Sequence, residues 1–331
     1  MEPPYDSERQ AALAAVREAA ALCHRVQSGI TPDTLQKKDK SPVTVADYGS
    51  QAVVCRAIRR LFPNDLIIAE EGSAELRQPA NAALAQKVLA EVRGCQPQAT
   101  LDDVLAWIDH GDHGSYAERF WTLDPIDGTK GFLRGEQYAV ALALVVQGRV
   151  EVAALACPNL AGPGGAQGGT AYLAVRGQGA AAVPLAESSQ SVSEIAGLRV
   201  TTTADPALAR LCESVESGHS KHDTAAEVAK RLKITAAGRR LDSQAKYAVV
   251  AQGEADIYLR LPTDAIYREK IWDHAAGMLV VEEAGGKVSD VHGRPLDFSL
   301  GRELSANRGV IATNSHLHEA VLNVLQELGI E

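Results

Sequence analysis

Carboxylates dominate the residues of this chain that can do chemistry, and the densest group lies in WTLDPIDGTKGFL, residues 121–133. Asp124 and Asp127 flank Pro125 directly after an apolar run. Proline fixes φ, and the Asp-Gly step that follows favours a sharp turn. Such a turn points two carboxylates and an intervening backbone carbonyl at one spot, the donor set that holds a hard cation. Gly128, Thr129 and Lys130 then expose backbone N–H groups suited to a phosphate. The plainer alternative is that Asp-Pro and Asp-Gly are simply good turn formers.

Three further acidic positions weigh against that alternative. Glu70-Glu71-Gly72 follows Leu66-Ile67-Ile68-Ala69, a short apolar strand, at whose end catalytic groups of α/β layers gather. Asp47 stands at the expected start of a helix, and Asp273 opens the apolar run Ile271 to Ala284. Each alone serves equally well as a helix cap, whereas together they read as a multi-metal carboxylate site. The haloacid-dehalogenase pattern, two aspartates spaced by two near a domain start, does not fit aspartates spaced by three at residue 124.

The elements that must position these groups follow from periodicity. Ser7 to Val26 and Ala46 to Leu61 are amphipathic helix patterns, with further helical segments near 80–93 and 100–109. Phe120 to Leu123 reads as a strand, Tyr138 to Val146 and Val150 to Ala156 as a hairpin, and Thr170 to Val175 as another strand. Later segments alternate: strand Leu198 to Thr202, helix Pro206 to Val215, helix Ser243 to Ala251, strand Asp256 to Leu259. A helix Ile271 to Ala284, a strand Val310 to Thr313 and a helix His316 to Leu328 complete the chain. The order predicts an α+β domain over 1–195 with most of the acidic site, then an α/β domain over 196–331 carrying Asp273.

Composition narrows the class of function. The 331 residues are 46% hydrophobic and 23% charged, an ordinary globular balance. A formal charge of -9 repels nucleic-acid polymers and anionic membranes, yet admits a small anion where cations invert the local field. No apolar run is long enough for a membrane-spanning helix, and the first residues, MEPPYDSERQ, show no secretory pattern. Five scattered cysteines without a C-x-x-C pair fit a reducing compartment. The cluster Asp109-His110-Gly111-Asp112-His113 reads as a solvated surface loop within 110–118, and the Gly-rich stretch 161–169 carries no nucleotide-loop pattern.

Taken together, Asp47, Glu70-Glu71, Asp124 to Thr129 and Trp272-Asp273 resemble, in order, the signatures of the inositol monophosphatase superfamily of magnesium-dependent, lithium-sensitive phosphatases. Within it the chain is most similar to the 3'(2'),5'-bisphosphate nucleotidases. That likeness rests on Asp39 to Tyr48, Gly218-His219-Ser220, Leu241 to Tyr247 and Tyr258 to Pro262, and on the long connection 72–119.

The resemblance implies a layered αβαβα sandwich. It also implies hydrolysis of the 3'-phosphate of adenosine 3',5'-bisphosphate, and of its phosphosulfate analogue in sulfur metabolism, by activated water. Glu70, Asp124, Asp127, Asp273 and the Ile126 carbonyl would hold two or three Mg²⁺, with Li⁺ inhibiting. Asp47 and Thr129 would orient and deprotonate the water, and Gly128 and Thr129 would hold the scissile phosphate. His219, Ser243, Lys246 and Arg260 would bind the nucleoside bisphosphate, although taken singly Lys246 and Arg260 read as surface residues. Five carboxylates in one place are untenable without cations, which agrees with these roles. The expected partner is the small nucleotide alone, bound by a monomer in the cytoplasm, or in a plastid or mitochondrion had a transit peptide been removed. An inositol-phosphate phosphatase and a non-catalytic bisphosphate sensor are the alternatives.

Overall fold

The computed structural model describes residues 3–29, 45–186, 197–215, 222–262, 264 and 266–330. Two sheets carry the architecture. The first contains β1 (Leu66–Ala69), β2 (Arg119–Asp127), β3 (Ala139–Val146), β4 (Arg149–Cys157), β5 (Thr170–Val175) and β6 (Gly179–Pro184), paired in that order. Only β1 and β2 are parallel in it. The second sheet has the order β10 (Lys287–Ser289), β11 (Val310–Thr313), β9 (Ile257–Arg260), β7 (Leu211–Ser214) and β8 (Arg239–Leu241), with β7 parallel to both neighbours.

Period-two patterning assigns each strand face to a different core. In β3, Val140, Leu142 and Leu144 join one apolar cluster while Ala139, Ala141, Ala143 and Val145 join another. The first cluster is closed by α1 (Asp6–Ser28) and α2 (Val45–Leu61), with α3 (Ala82–Arg93) and α4 (Leu101–Asp109) against α2. Each fully buried leucine or valine of this layer contributes about 2 kcal/mol of hydrophobic stabilisation. Thr100 and Asp103 form a reciprocal capping box that fixes the start of α4.

The second cluster is a middle layer of helices. It holds α7 (Ala245–Ala251), buried throughout, and α8 (Ala275–Glu283), buried from Ala275 to Val281. In the second sheet Tyr258, Val310 and Ala312 turn inward to these helices. Ile257, Leu259 and Ile311 turn outward to α6 (His222–Arg231) and α9 (His318–Glu327). The layers are therefore α, β, α, β, α, as the resemblance implied.

Three expectations are corrected. Pro206 to Val215 is not a helix: Asp205 caps a single turn, Pro206–Leu208, and β7 follows. Its side chains alternate, Leu211 to the outer core and Cys212 to the inner, and pairing with β9 outweighs the local helix-start signal. Leu198 to Thr202 forms no strand, although its Leu198 and Val200 N–H groups donate to Ala180 and Ala284. The helix expected from Ile271 breaks at His274, φ −135°, so Asp273 lies in a preceding turn, Ile271–Asp273.

Segment 110–118 is largely exposed, as its composition suggests, and Gly111 is its one buried residue. The Gly111 carbonyl accepts from Ala69 N–H at 2.8 Å, and a Cβ on Gly111 would lie 2.7 Å from that of Ala69. Asp109 is engaged by Ser73 N–H and by Arg77.

Candidate active site

A cleft of about 540 Å³ gathers most of the anticipated residues. Glu70, Asp124, Ile126, Asp127 and Asp273 line it, and so do Gly128, Thr129, Ser243, Lys246 and Arg260. Asp47, buried near the start of α2, does not line it, though its charge is felt at Asp124. His219 lies outside the described residues, as do Asp39 to Thr44 of the same resemblance.

The acidic group is built by a strand irregularity rather than by the turn expected from Asp127-Gly128. Strand β2 runs on to Asp127, and Asp124 pairs with Ala141 whereas Asp127 pairs with Ala139. Three steps on β2 therefore oppose two on β3, a bulge with one extra residue. Residues three apart on a regular strand face opposite sides, and the extra residue brings both aspartates to one side. Pro125 fits this place because it has no N–H to give a ladder, and its carbonyl accepts from Ser50 Oγ at 2.8 Å. Ala139 and Ala141 belong to the inner core, so the aspartates emerge toward the middle helices. Parallel pairing of Ala69 with Leu123 sets Glu70 beside Asp124.

Gly128 then begins α5 (Thr129–Arg134) at φ 87°, a left-handed conformation open to glycine. A Cβ there would meet Ser243 Cβ at 3.0 Å, and one on Gly131 would lie 2.6 Å from Asp242 Oδ2. These two glycines let the 241–244 turn close on the bulge. Gln244 seals the joint: its N–H donates to Asp127 Oδ2 at 2.6 Å, and its side chain bonds Trp272 O and Gly277 N–H. The segment bearing Asp273 is thereby fixed to the strand bearing Asp127.

Electrostatically the acidic group is strained. Asp124 is held well above the usual carboxylate range by burial and by Glu70, Asp127, Asp273 and Asp47. Burial, then Asp127, lifts Asp273 to about 7, and burial, then Glu71 and Asp127, lifts Glu70 to about 7. Asp124 Oδ1 is buried without a hydrogen-bond partner among the described residues. Hard oxygen donors, mutual repulsion and an orphaned carboxylate oxygen fit divalent cations.

The cationic residues are more engaged than the sequence suggested. Lys246 Nζ is buried, donates to the carbonyls of Leu241 at 3.1 Å and Ser243 at 2.7 Å, and stands 5.4 Å above the Tyr258 ring. It steadies Ser243, which has a left-handed φ of 65°. Desolvation lowers the Lys246 pKa. Arg260 is paired with Glu269 through Nε at 3.1 Å and Nη2 at 2.8 Å. Glu269, Asp273 and His274 bring ligand atoms within 4.8 Å of one another, but both Glu269 oxygens already accept from Arg260 or His274.

Sequence reasoning missed Gln244, Glu269 and Arg302. Arg302 donates to Ala69 O at 2.7 Å and covers the Trp272 ring at 4.7 Å, bracing the strand end that precedes Glu70. Gln244 lies inside the Leu241 to Tyr247 motif, which was the available signal; Glu269 and Arg302 carried none.

Comparison with known proteins shows the family and the fold. The model of the inositol monophosphatase family matches residues 5–329. A protein of Schizosaccharomyces pombe named 3'(2'),5'-bisphosphate nucleotidase is 44% identical, over 96% of this chain and 94% of its own length. One of the same name from Emericella nidulans is 42% identical, over 98% and 99%. Among solved structures, a Thermotoga maritima IMPase superposes with a TM-score of 0.64 at 22% identity, covering 96% of each chain, a likeness of fold.

Proposed function

The chain belongs to the inositol monophosphatase family, and from that premise we propose that it is a 3'(2'),5'-bisphosphate nucleotidase. It removes the 3'-phosphate of adenosine 3',5'-bisphosphate to leave AMP, and acts likewise on 3'-phosphoadenosine 5'-phosphosulfate. The names of relatives above 40% identity support the reaction. The observation that carries it is one cleft combining an all-oxygen acidic group with cationic side chains, Lys246 and Arg260 among them. An ester bearing a second phosphate needs both.

Glu70, Asp124, Asp127, Asp273 and the Ile126 carbonyl hold two or three Mg²⁺, which when bound supply Lewis-acid charge for phosphoryl transfer. Asp47 and Thr129 orient the attacking water and take its proton. The Thr129 hydroxyl donates to Ile126 O at 3.3 Å, so its oxygen is left to accept from water. A threonine hydroxyl is a weak nucleophile, which favours this positioning role over covalent attack. Gly128 and Thr129 N–H groups hold the scissile phosphate. Ser243, Lys246, Arg260 and His219 hold the rest of the nucleotide.

On this reading the chain acts as a monomer whose partner is the small nucleotide. A division near residue 195 is supported by the sheets, which use 66–184 and 211–313. A reducing compartment such as the cytoplasm is supported by five free cysteines; no helix of the described residues is long and apolar enough to cross a membrane.

Phosphate release from adenosine 3',5'-bisphosphate with Mg²⁺, with and without millimolar Li⁺, beside inositol 1-phosphate, tests the reading. Lithium-inhibited release from the nucleotide is expected. Preference for the inositol ester overturns the substrate, and activity on neither overturns catalysis in favour of a binder.

A further inference from the structure

We propose that Glu269 is a positioning residue: it aims the Arg260 guanidinium at the substrate's second phosphate, and is itself held by a buried His274–Tyr247 pair. The inference rests on the nucleotidase reading of the cleft, which it deepens.

Glu269 grips one edge of the guanidinium, with Arg260 Nε donating to Oε1 at 3.1 Å and Nη2 to Oε2 at 2.8 Å. This side-on pairing uses two of five N–H donors and fixes the plane of the rest. Oε2 also accepts from His274 Nε2 at 3.1 Å, and His274 Nδ1 meets the Tyr247 hydroxyl at 2.7 Å. A carboxylate only accepts, so the His274 ring offers its Nε2–H to Glu269 while Nδ1 engages the Tyr247 hydroxyl. Glu269, His274 and Tyr247 are 6%, 1% and 1% exposed, so none of these bonds is exchanged with water at low cost.

Packing locks the far end of the chain of contacts. The Tyr247 ring meets Tyr258 edge-on at 5.0 Å, and a Cβ on Gly277 would lie 2.2 Å from Tyr247 Cδ2. Only glycine at 277 leaves room for that ring. Burial alone would raise the Glu269 pKa, but His274 and Arg260 outweigh it and bring the carboxylate down to about 2.

A reason for the arrangement lies in the acidic group itself. Arg260 feels the Asp273 charge, and an untethered guanidinium would be drawn onto that carboxylate and compete with cations there. Arg260 instead pairs with Glu269. The pairing offsets its net charge, so its value to a phosphate is directional: donors presented in a set plane.

The test compares wild type, Glu269→Gln, Arg260→Ala and the double variant on adenosine 3',5'-bisphosphate and adenosine 3'-monophosphate. Glu269→Gln is expected to raise KM for the bisphosphate about tenfold, with kcat and the monophosphate KM moving less than about twofold. The double variant is expected to be no worse than Arg260→Ala, because Glu269 acts through Arg260. Equal changes on both substrates, or effects that multiply in the double variant, overturn the proposal. Should Glu269→Gln not fold, Glu269→Asp serves the same comparison. A wild type that cleaves only inositol 1-phosphate defeats the nucleotidase reading instead. The crystal structure of the Glu269 variant then decides: a displaced Arg260 guanidinium supports positioning, and an unmoved one overturns it.

Discussion

His318, at the start of α9, is fully buried between two hydroxyls and gives the fold a calculable acid sensitivity. Ser289 Oγ donates to Asp290 O, so at His318 Nε2, 2.9 Å away, it accepts. Thr313 Oγ1, 3.0 Å from Nδ1, can then donate, and the neutral ring is satisfied on both sides. Burial, then the charge of Lys287, lowers the pKa from 6.5 to about 4, with Glu319 opposing. Between those values the unfolded chain binds a proton that the folded chain does not, so stability falls as pH falls. At about 1.4 kcal/mol per pH unit the full loss is roughly 3 kcal/mol. An unfolding entropy of about 2 cal/mol/K per residue converts this to roughly 4–5 °C in Tm. The assay is calorimetry of wild type and His318→Gln from pH 7.5 to 4. Other titrating groups are common to both proteins and cancel in the difference. The variant's Tm should gain on wild type by that amount as pH falls, with no change above pH 7. Parallel Tm profiles would refute the reasoning.

Four further outcomes are expected. Asp127→Asn should nearly abolish turnover and weaken the magnesium dependence, read by phosphate release over a Mg²⁺ titration. Arg260→Ala should raise KM for the bisphosphate far more than for a monophosphate, since it removes a contact remote from the reacting atoms. Gly277→Ala, whose Cβ would collide with the Tyr247 ring, should cost about 1–3 kcal/mol by denaturant titration. In chelator-treated protein, added Mg²⁺ should raise Tm more at pH 8 than at pH 6, because Glu70 and Asp273, lifted to about 7, must lose protons to bind it. Equal shifts at the two pH values would count against that assignment.

The acidic site was legible because its chemistry is local. Asp124, Pro125 and Asp127 sit within four residues, and Glu70 follows a strand that announces itself by hydrophobicity. The bulge that aims the two aspartates was not legible, since it is a property of register against β3. Glu269 was invisible for a similar reason: its partners Arg260 and His274 lie nine and five residues away, across a loop whose path no periodicity encodes. Strand β7 was misread because Pro206 is a sound helix start, and only contact with β9 cuts the helix short. Lys246 shows the converse limit. Its place in the cleft agreed with its motif, but its bonds to Leu241 and Ser243 carbonyls depend on a turn seen only in three dimensions.

The middle helix layer bears on how the protein tolerates being cut. Residues up to 186 supply the six-stranded sheet, while α7 and α8, which cover its inner face, come from beyond 240. Expressed alone, the first segment would display the alanine-lined face of β3 and β4 to water, a broad sticky surface prone to self-association. The remainder would carry α8 with its run Ala275 to Val281 uncovered on one side. Co-expressed, the two pieces present complementary apolar faces and should assemble into a complex. Nicking near 190 in the intact protein would then leave two polypeptides that stay together until denaturant parts them.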